Sequence, residues 1–206
     1  MEFLKIRLLV LAFLLPGLKN YAQDWDLLGN AFTLSYQYEK SGDYLKAIYE
    51  LKKVYDENSY EINLRLGWLN YSAGLFEESM ANYQRAISLM PYSEEARFGM
   101  AYPASGAGKW DKVIEQYNEI LKNSPGNTVA MYRLGLIYYG RKDYNSAHKY
   151  FKKVVDMYPF DYDGVVMLAW TNFQMGKTRE AKVLFNKALL NKPNDVSAKE
   201  GLSYLK

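Results

Sequence analysis

His148 is the only histidine in the 206-residue chain, and cysteine is absent. A nucleophile–base pair or a thiolate or imidazole metal site needs at least two such groups converging, and no partner for His148 can be named. His148 is therefore read as structural. The carboxylate pairs Glu77/Glu78 and Glu94/Glu95 fall in the first turns of expected helices, where negative charge complements the helix dipole. Lys52/Lys53 and Lys152/Lys153 fall near helix ends of the opposite polarity. No glycine-rich phosphate loop follows a strand, because no strand is expected. The chain reads as non-enzymatic, with no catalytic residue, metal or cofactor. Its distinctive material is aromatic: 20 tyrosines, 9 phenylalanines and 4 tryptophans. Such rings act through contact area and stacking, so the question becomes which elements present them.

Lys and Arg total 26 against 23 Asp and Glu, a formal net charge of +3. Lys5, Arg7 and Lys19 against Glu2 contribute two of those charges, leaving a nearly neutral remainder without the electrostatic footprint of a nucleic-acid binder. Those residues belong to a segment with export features. Lys5 and Arg7 form a basic region, Leu8–Leu15 an uninterrupted apolar run, Pro16 and Gly17 a helix break, and Ala22 a small residue before Gln23. The run is far shorter than the ~20 residues of a spanning helix, and no cysteine follows for a lipid anchor. Residues 1–22 are expected to be a signal peptide cleaved after Ala22. The mature chain from 23 to 206 is then periplasmic or secreted, with no stable membrane span. Asn20, three residues before the cleavage point, departs from the small residue preferred there, and an uncleaved N-terminal anchor is the competing reading.

The rest repeats with a period of 34 residues, the signature of a stacked solenoid. Units run over about 28–59, 60–93, 94–127, 128–161 and 162–195, followed by 196–206. Each holds two segments with apolar residues at i, i+3, i+4 and i+7 spacing, which predicts two helices about a Gly- or Lys-containing turn. Pro91, Pro125, Pro159 and Pro193 close the second segment, since proline cannot continue a helix. Small residues (Gly67, Ala101, Gly135 and Ala169; Ala47, Ala147 and Ala181) stand where helices must approach.

This pattern resembles the tetratricopeptide repeat. In unit 128–161 the matching residues are Leu134, Gly135, Tyr138, Tyr144, Ala147, Phe151 and Pro159, with Lys142 in place of the turn glycine. Unit 162–195 matches through Leu168, Ala169, Gly176, Ala181, Phe185, Ala188 and Pro193, and departs at Asn172. The first unit is two residues short and lacks the closing proline. The resemblance implies an all-α, right-handed superhelical solenoid of about five helix–turn–helix units with a concave groove. Val196–Lys206 would be the capping helix, turning Leu202 and Leu205 toward the fifth unit, with Asn194 or Asp195 as its N-cap. Pro103 lies inside the first helix of the third unit, followed by Ser105, Gly106 and Gly108. A frayed or kinked last turn is expected there.

In proteins of this kind the first helix of each unit lines the groove, mainly through positions 2, 5, 9, 12 and 13. Positions 5, 9 and 12 share one stripe. The candidate partner-binding residues are Tyr36, Trp68, Tyr71, Phe98, Tyr102, Tyr132, Arg133, Leu136, Tyr139, Trp170 and Phe173, with Tyr204 from the cap. The ninth position is the informative one, because the family usually places asparagine there. This chain has Tyr36, Trp68, Tyr102, Leu136 and Trp170. Mutual packing of the rings is the structural explanation, and a surface for a bound segment the functional one. The Lys/Asn clamp that some members use for acidic C-termini is missing, although Arg65 and Arg133 remain as single cations, each expected in an ordinary surface ion pair. The expected function is a non-enzymatic adaptor gripping another protein or a peptide segment. A glycan or peptidoglycan receptor using the same rings, and self-assembly through the repeat ends, are the alternatives.

Overall fold

The computed structural model describes residues 24–205, so the export segment lies outside the described residues. Eleven helices follow one another there: α1 (Trp25–Lys40), α2 (Tyr44–Lys52), α3 (Tyr60–Ser72), α4 (Phe76–Leu89), α5 (Glu94–Gly106), α6 (Trp110–Asn123), α7 (Thr128–Gly140), α8 (Tyr144–Met157), α9 (Tyr162–Gln174), α10 (Thr178–Asn191) and α11 (Val196–Ser203). They form five antiparallel pairs stacked into the solenoid, with α11 as the cap. The first pair starts earlier than the unit boundary at Leu28, because Asp24 caps α1.

Local chemistry sets each boundary. Ser59, Ser93, Asn127, Asp161 and Asp195 each accept a backbone N–H from the first turn of the helix that follows. These residues recur at the 34-residue period, and each satisfies a donor that the helix start would leave orphaned. After the C-terminal ends of α1, α3, α5, α7 and α9 the chain enters the left-handed region, at Gly42, Gly74, Gly108, Lys142 and Gly176. Glycine does so without steric penalty, whereas Lys142 carries a Cβ there.

Within and between units, an aromatic ring on the second helix fills the space left by glycines. Tyr83, only 3% exposed, lies between Gly67 of α3 and Gly99 of α5. Phe151 presses on Gly135, and Phe185 on Gly201 of the cap. The cap also buries Ala198, and its Leu202 and Leu205 pack against the α9–α10 core.

The third unit departs from expectation. α5 runs unbroken from Glu94 to Gly106 through Pro103, as long as α3, α7 and α9. Its last turn is closed, with Ala107 N–H on Pro103 O at 2.9 Å and Lys109 N–H on Ala104 O at 2.8 Å. Proline removes only the donor for the Gly99 carbonyl. It sits late enough that the backbone groups following it complete the helix end, so no frayed turn results.

Candidate functional site

The exposed candidate rings Tyr36, Trp68 and Tyr102 border two adjoining cavities that lie between α1 and α7. The first, about 590 Å³, lies between α1, α3 and α5 and is bordered by Tyr36, Trp68 and Tyr102. A polar knot fixes its wall. The Arg65 guanidinium is buried, stacks on the Tyr36 ring at 3.8 Å, and contacts Glu39 Oε2 at 2.6 Å through Nη2. Its Nε donates to Ser35 Oγ at 3.2 Å, and the Trp68 indole N–H donates to Glu39 Oε1 at 2.5 Å. Burial pushes the Glu39 carboxyl up, but the hydrogen bonds from Arg65 and Trp68 and the Arg65 charge outweigh it, so the group is held below the usual carboxylate range. Arg65 is thus a locked interior cation, contrary to the surface pair expected for it.

With its N–H engaged, Trp68 turns its ring outward at 38% exposure. Tyr71 and Tyr102 lie 5.7 and 6.3 Å from it, centroid to centroid, and 5.5 Å from each other. Glu61 and Glu95 border the same cavity. Phe98 packs 5.8 Å from Tyr117 and, with Tyr102, separates this cavity from the next.

The second cavity, about 690 Å³, lies between α5, α6 and α7. Ala101, Val113 and Tyr117 are buried in its lining, Leu136 and Ile137 form one side, and Trp110 stands at its edge. Its cations are Arg133 and Arg141, and no carboxylate lines it. Burial pushes the Tyr117 phenol up, with the Arg133 charge opposing. Gly99 and Gly201 let their helices close on the preceding ring, whereas α7 carries Arg133 at the same position, on the cavity that Tyr117 also lines.

The remaining candidates do not continue one open stripe. Tyr132, Leu136 and Tyr139 are half-buried against the core around Phe151, with Tyr132 5.6 Å from Phe151 and Tyr139 5.5 Å from Tyr144. Trp170 is clamped by the cap. Its indole N–H donates to Ser197 Oγ at 2.8 Å, and its ring meets Phe185, Phe173 and Tyr204 at 5.0, 5.7 and 6.3 Å. Phe173 and Tyr204 are 5.9 Å apart, closing this second cluster. Trp110, Ile137 and Arg141 were not singled out from the sequence. Trp110 opens the second helix of its unit, outside the stripe that pattern reasoning follows.

His148 stands apart on α8, beside Asn172 and Arg179. Burial, with Lys177 and Lys152, holds its imidazole below the usual value. Among the described residues no three of His, Asp and Glu gather as a metal site, and no helix is long and apolar enough to cross a membrane.

Family comparisons agree with this architecture. Models of the tetratricopeptide repeat match residues 60–92, 98–162 and 138–202. A TPR repeat-containing protein of Methanocaldococcus jannaschii is 32% identical over 108 residues, 52% of this chain and 18% of that protein. Human Superkiller complex protein 3 is 28% identical over 146 residues, 64% of this chain and 9% of that protein. The chain thus spans less than a fifth of the length of either curated relative. A tetratricopeptide repeat protein from Parabacteroides merdae superposes with a TM-score of 0.75 at 22% identity, over 87% of this chain and 72% of that one. MamA of Desulfovibrio magneticus superposes with a TM-score of 0.69 at 17% identity, over 83% of this chain and 98% of that one.

Proposed function

The chain belongs to the tetratricopeptide repeat family, whose fold serves as a protein-interaction scaffold, and we propose that it grips a segment of another protein in the groove lined by α1, α3, α5 and α7. The single observation that carries this reading is the Trp68–Tyr71–Tyr102 cluster. Trp68 has its polar edge satisfied internally by Glu39, so what it offers to solvent is apolar ring. Such rings lose little entropy on binding and dominate interface energetics. The adjoining 690 Å³ apolar cavity extends the same surface. We place this scaffold in the periplasm or outside the cell, on the strength of the N-terminal export features alone.

The test is recovery of partners from the native cell by the mature chain, wild type against Trp68→Ala/Tyr102→Ala. Both rings are partly exposed. Equal helicity by circular dichroism is the control, because the variant also removes the Trp68 donor to Glu39. A lost hot spot of about 2 kcal/mol lowers affinity about 30-fold. Equal recovery of every partner by the variant refutes the groove. N-terminal sequencing of the mature protein should begin at Gln23; retention of Met1 refutes cleavage.

One observation favours a second reading. Glu61 and Glu95 line the same cavity as the Trp68 ring, and carboxylates with an aromatic face are the groups that a sugar site uses. Tryptophan fluorescence that responds to oligosaccharides, with no protein partner recovered, would select it.

A further inference from the structure

The second cavity has a chemical asymmetry that specifies more than a generic groove. Its lining is apolar, and its volume lies within the roughly 300–1,000 Å³ of pockets that enclose a ligand group. Arg133 lies on its edge, exposed, with no ion pair or hydrogen bond to any acid among the described residues. Arg141 has only Asp111, whose side chain is 96% exposed. A ligand filling the cavity would strip water from Arg133, and a guanidinium desolvated against apolar walls is costly unless an anion joins it. The adjoining cavity has the opposite character. Glu61 and Glu95 border it, and its one arginine, Arg65, is already neutralised by Glu39.

We propose that the cavity between α5, α6 and α7 anchors one large apolar side chain of the bound segment, next to an aspartate or glutamate that pairs with Arg133. This rests on the groove reading above. A lysine or arginine of the same segment faces Glu61 and Glu95, which sets the segment's direction along the solenoid. The acid belongs to an internal residue, because the two cavities adjoin across Phe98 and Tyr102 and the segment runs on past the anchor.

The probe is a random dodecapeptide display library panned on the mature chain, in wild type and Arg133→Glu forms. Arg133 is exposed and makes no ion pair or hydrogen bond among the described residues, so equal helicity by circular dichroism is expected of the two. Wild type should enrich peptides with an acid within two residues of a large apolar residue. Arg133→Glu should enrich lysine or arginine at that place, and should bind the best wild-type peptide about tenfold more weakly. Identical peptides and affinities for both forms overturn the anchor. Should those peptides still be lost with Trp68→Ala/Tyr102→Ala, the groove reading stands without it. No enrichment on wild type overturns both. Loss of binding when a synthetic copy is amidated at its C-terminus would make the terminus the ligand and overturn the internal acid.

Discussion

Gly99→Ala should be among the most damaging single-methyl changes in the chain. A Cβ built there falls 2.2 Å from Tyr83 Cε1 and 2.6 and 2.9 Å from two further ring atoms. The closest of these is about 1.2 Å short of an ordinary contact at 3.4 Å. The ring has nowhere to go, because Gly67 meets its other side with a built Cβ at 2.9 Å. The α5 backbone must therefore move off α4, opening the junction between the second and third units. Overpacking of this kind costs about 1–3 kcal/mol, and a ring trapped on both sides belongs at the upper end. The gain in helix propensity from glycine to alanine returns about 0.5–1 kcal/mol, leaving a net loss of about 2 kcal/mol. With a urea slope of about 2 kcal/mol per molar, the unfolding midpoint falls by about 1 M. Far-UV circular dichroism and tryptophan fluorescence should be read together, since solenoids can unfold unit by unit. Gly140→Ala is the control, with no atom within 4 Å of its built Cβ, and should leave the midpoint unchanged or slightly raised. Tyr83→Leu added to Gly99→Ala should cost less than the two changes separately. A Gly99→Ala midpoint within about 0.2 M of wild type, with unchanged helicity, would refute the ring-between-glycines account of unit stacking.

Two further substitutions probe the turn and the polar knot. Lys142 has φ 61°, where an L side chain costs about 1–2 kcal/mol. Lys142→Gly should stabilise the fourth unit by about 0.5–1 kcal/mol after the chain-entropy cost of glycine, raising Tm by about 1–4 °C; a fall in Tm would contradict the strain. Glu39→Gln strands the buried Arg65 and should cost about 2–3 kcal/mol, less than a fully buried pair because Glu39 is partly exposed. The Glu39 carboxyl is held below its ordinary range, so its stabilisation is present above the ordinary pKa and is lost as pH falls through the folded value. Glu39→Gln should therefore flatten the acid limb of the urea midpoint against pH, and an unchanged limb would show that the knot stabilises nothing.

Most of the fold was legible because it rests on residues that repeat: the small positions, the closing prolines and the aromatic positions all recur at 34. The N-cap series from Ser59 to Asp195 was equally present, yet only its last member drew attention, since a cap is invisible until its helix start is known to the residue. Pro103 misled because propensity weighs a proline against an isolated helix. In α5 it is buried close to the C-terminal end, and Ala107, Gly108 and Lys109 bond back over it. Trp68 and Trp170 share one position in the unit and differ in outcome because of what surrounds them. Each meets the ring that follows edge-on at 6.3 Å, but Trp170 gives its N–H to Ser197 of the cap and packs 5.0 Å from Phe185, whereas Trp68 gives its N–H to Glu39 of the preceding unit and its ring borders the cavity.

The two arginines at position 6 carry the same lesson to the candidate site. Arg65 meets Ser35, Tyr36 and Glu39 of the unit before it, and they hold it by hydrogen bond, stacking and charge. The corresponding residues before Arg133 are Ala101, Tyr102 and Ser105, all of which line the second cavity. The ring is kept, while the hydroxyl and the carboxylate that would neutralise the cation are gone. One acidic side chain, present as Glu39 and replaced by Ser105, thus separates a closed interior ion pair from an open cavity edged by an unpaired guanidinium. Reading the chain within units could not reveal this, because the partner of each arginine lies about one period upstream. Ser105→Glu follows as the direct check: it should place a carboxylate beside Arg133, neutralise the edge, and weaken any ligand whose acid uses that cation while leaving the fold intact.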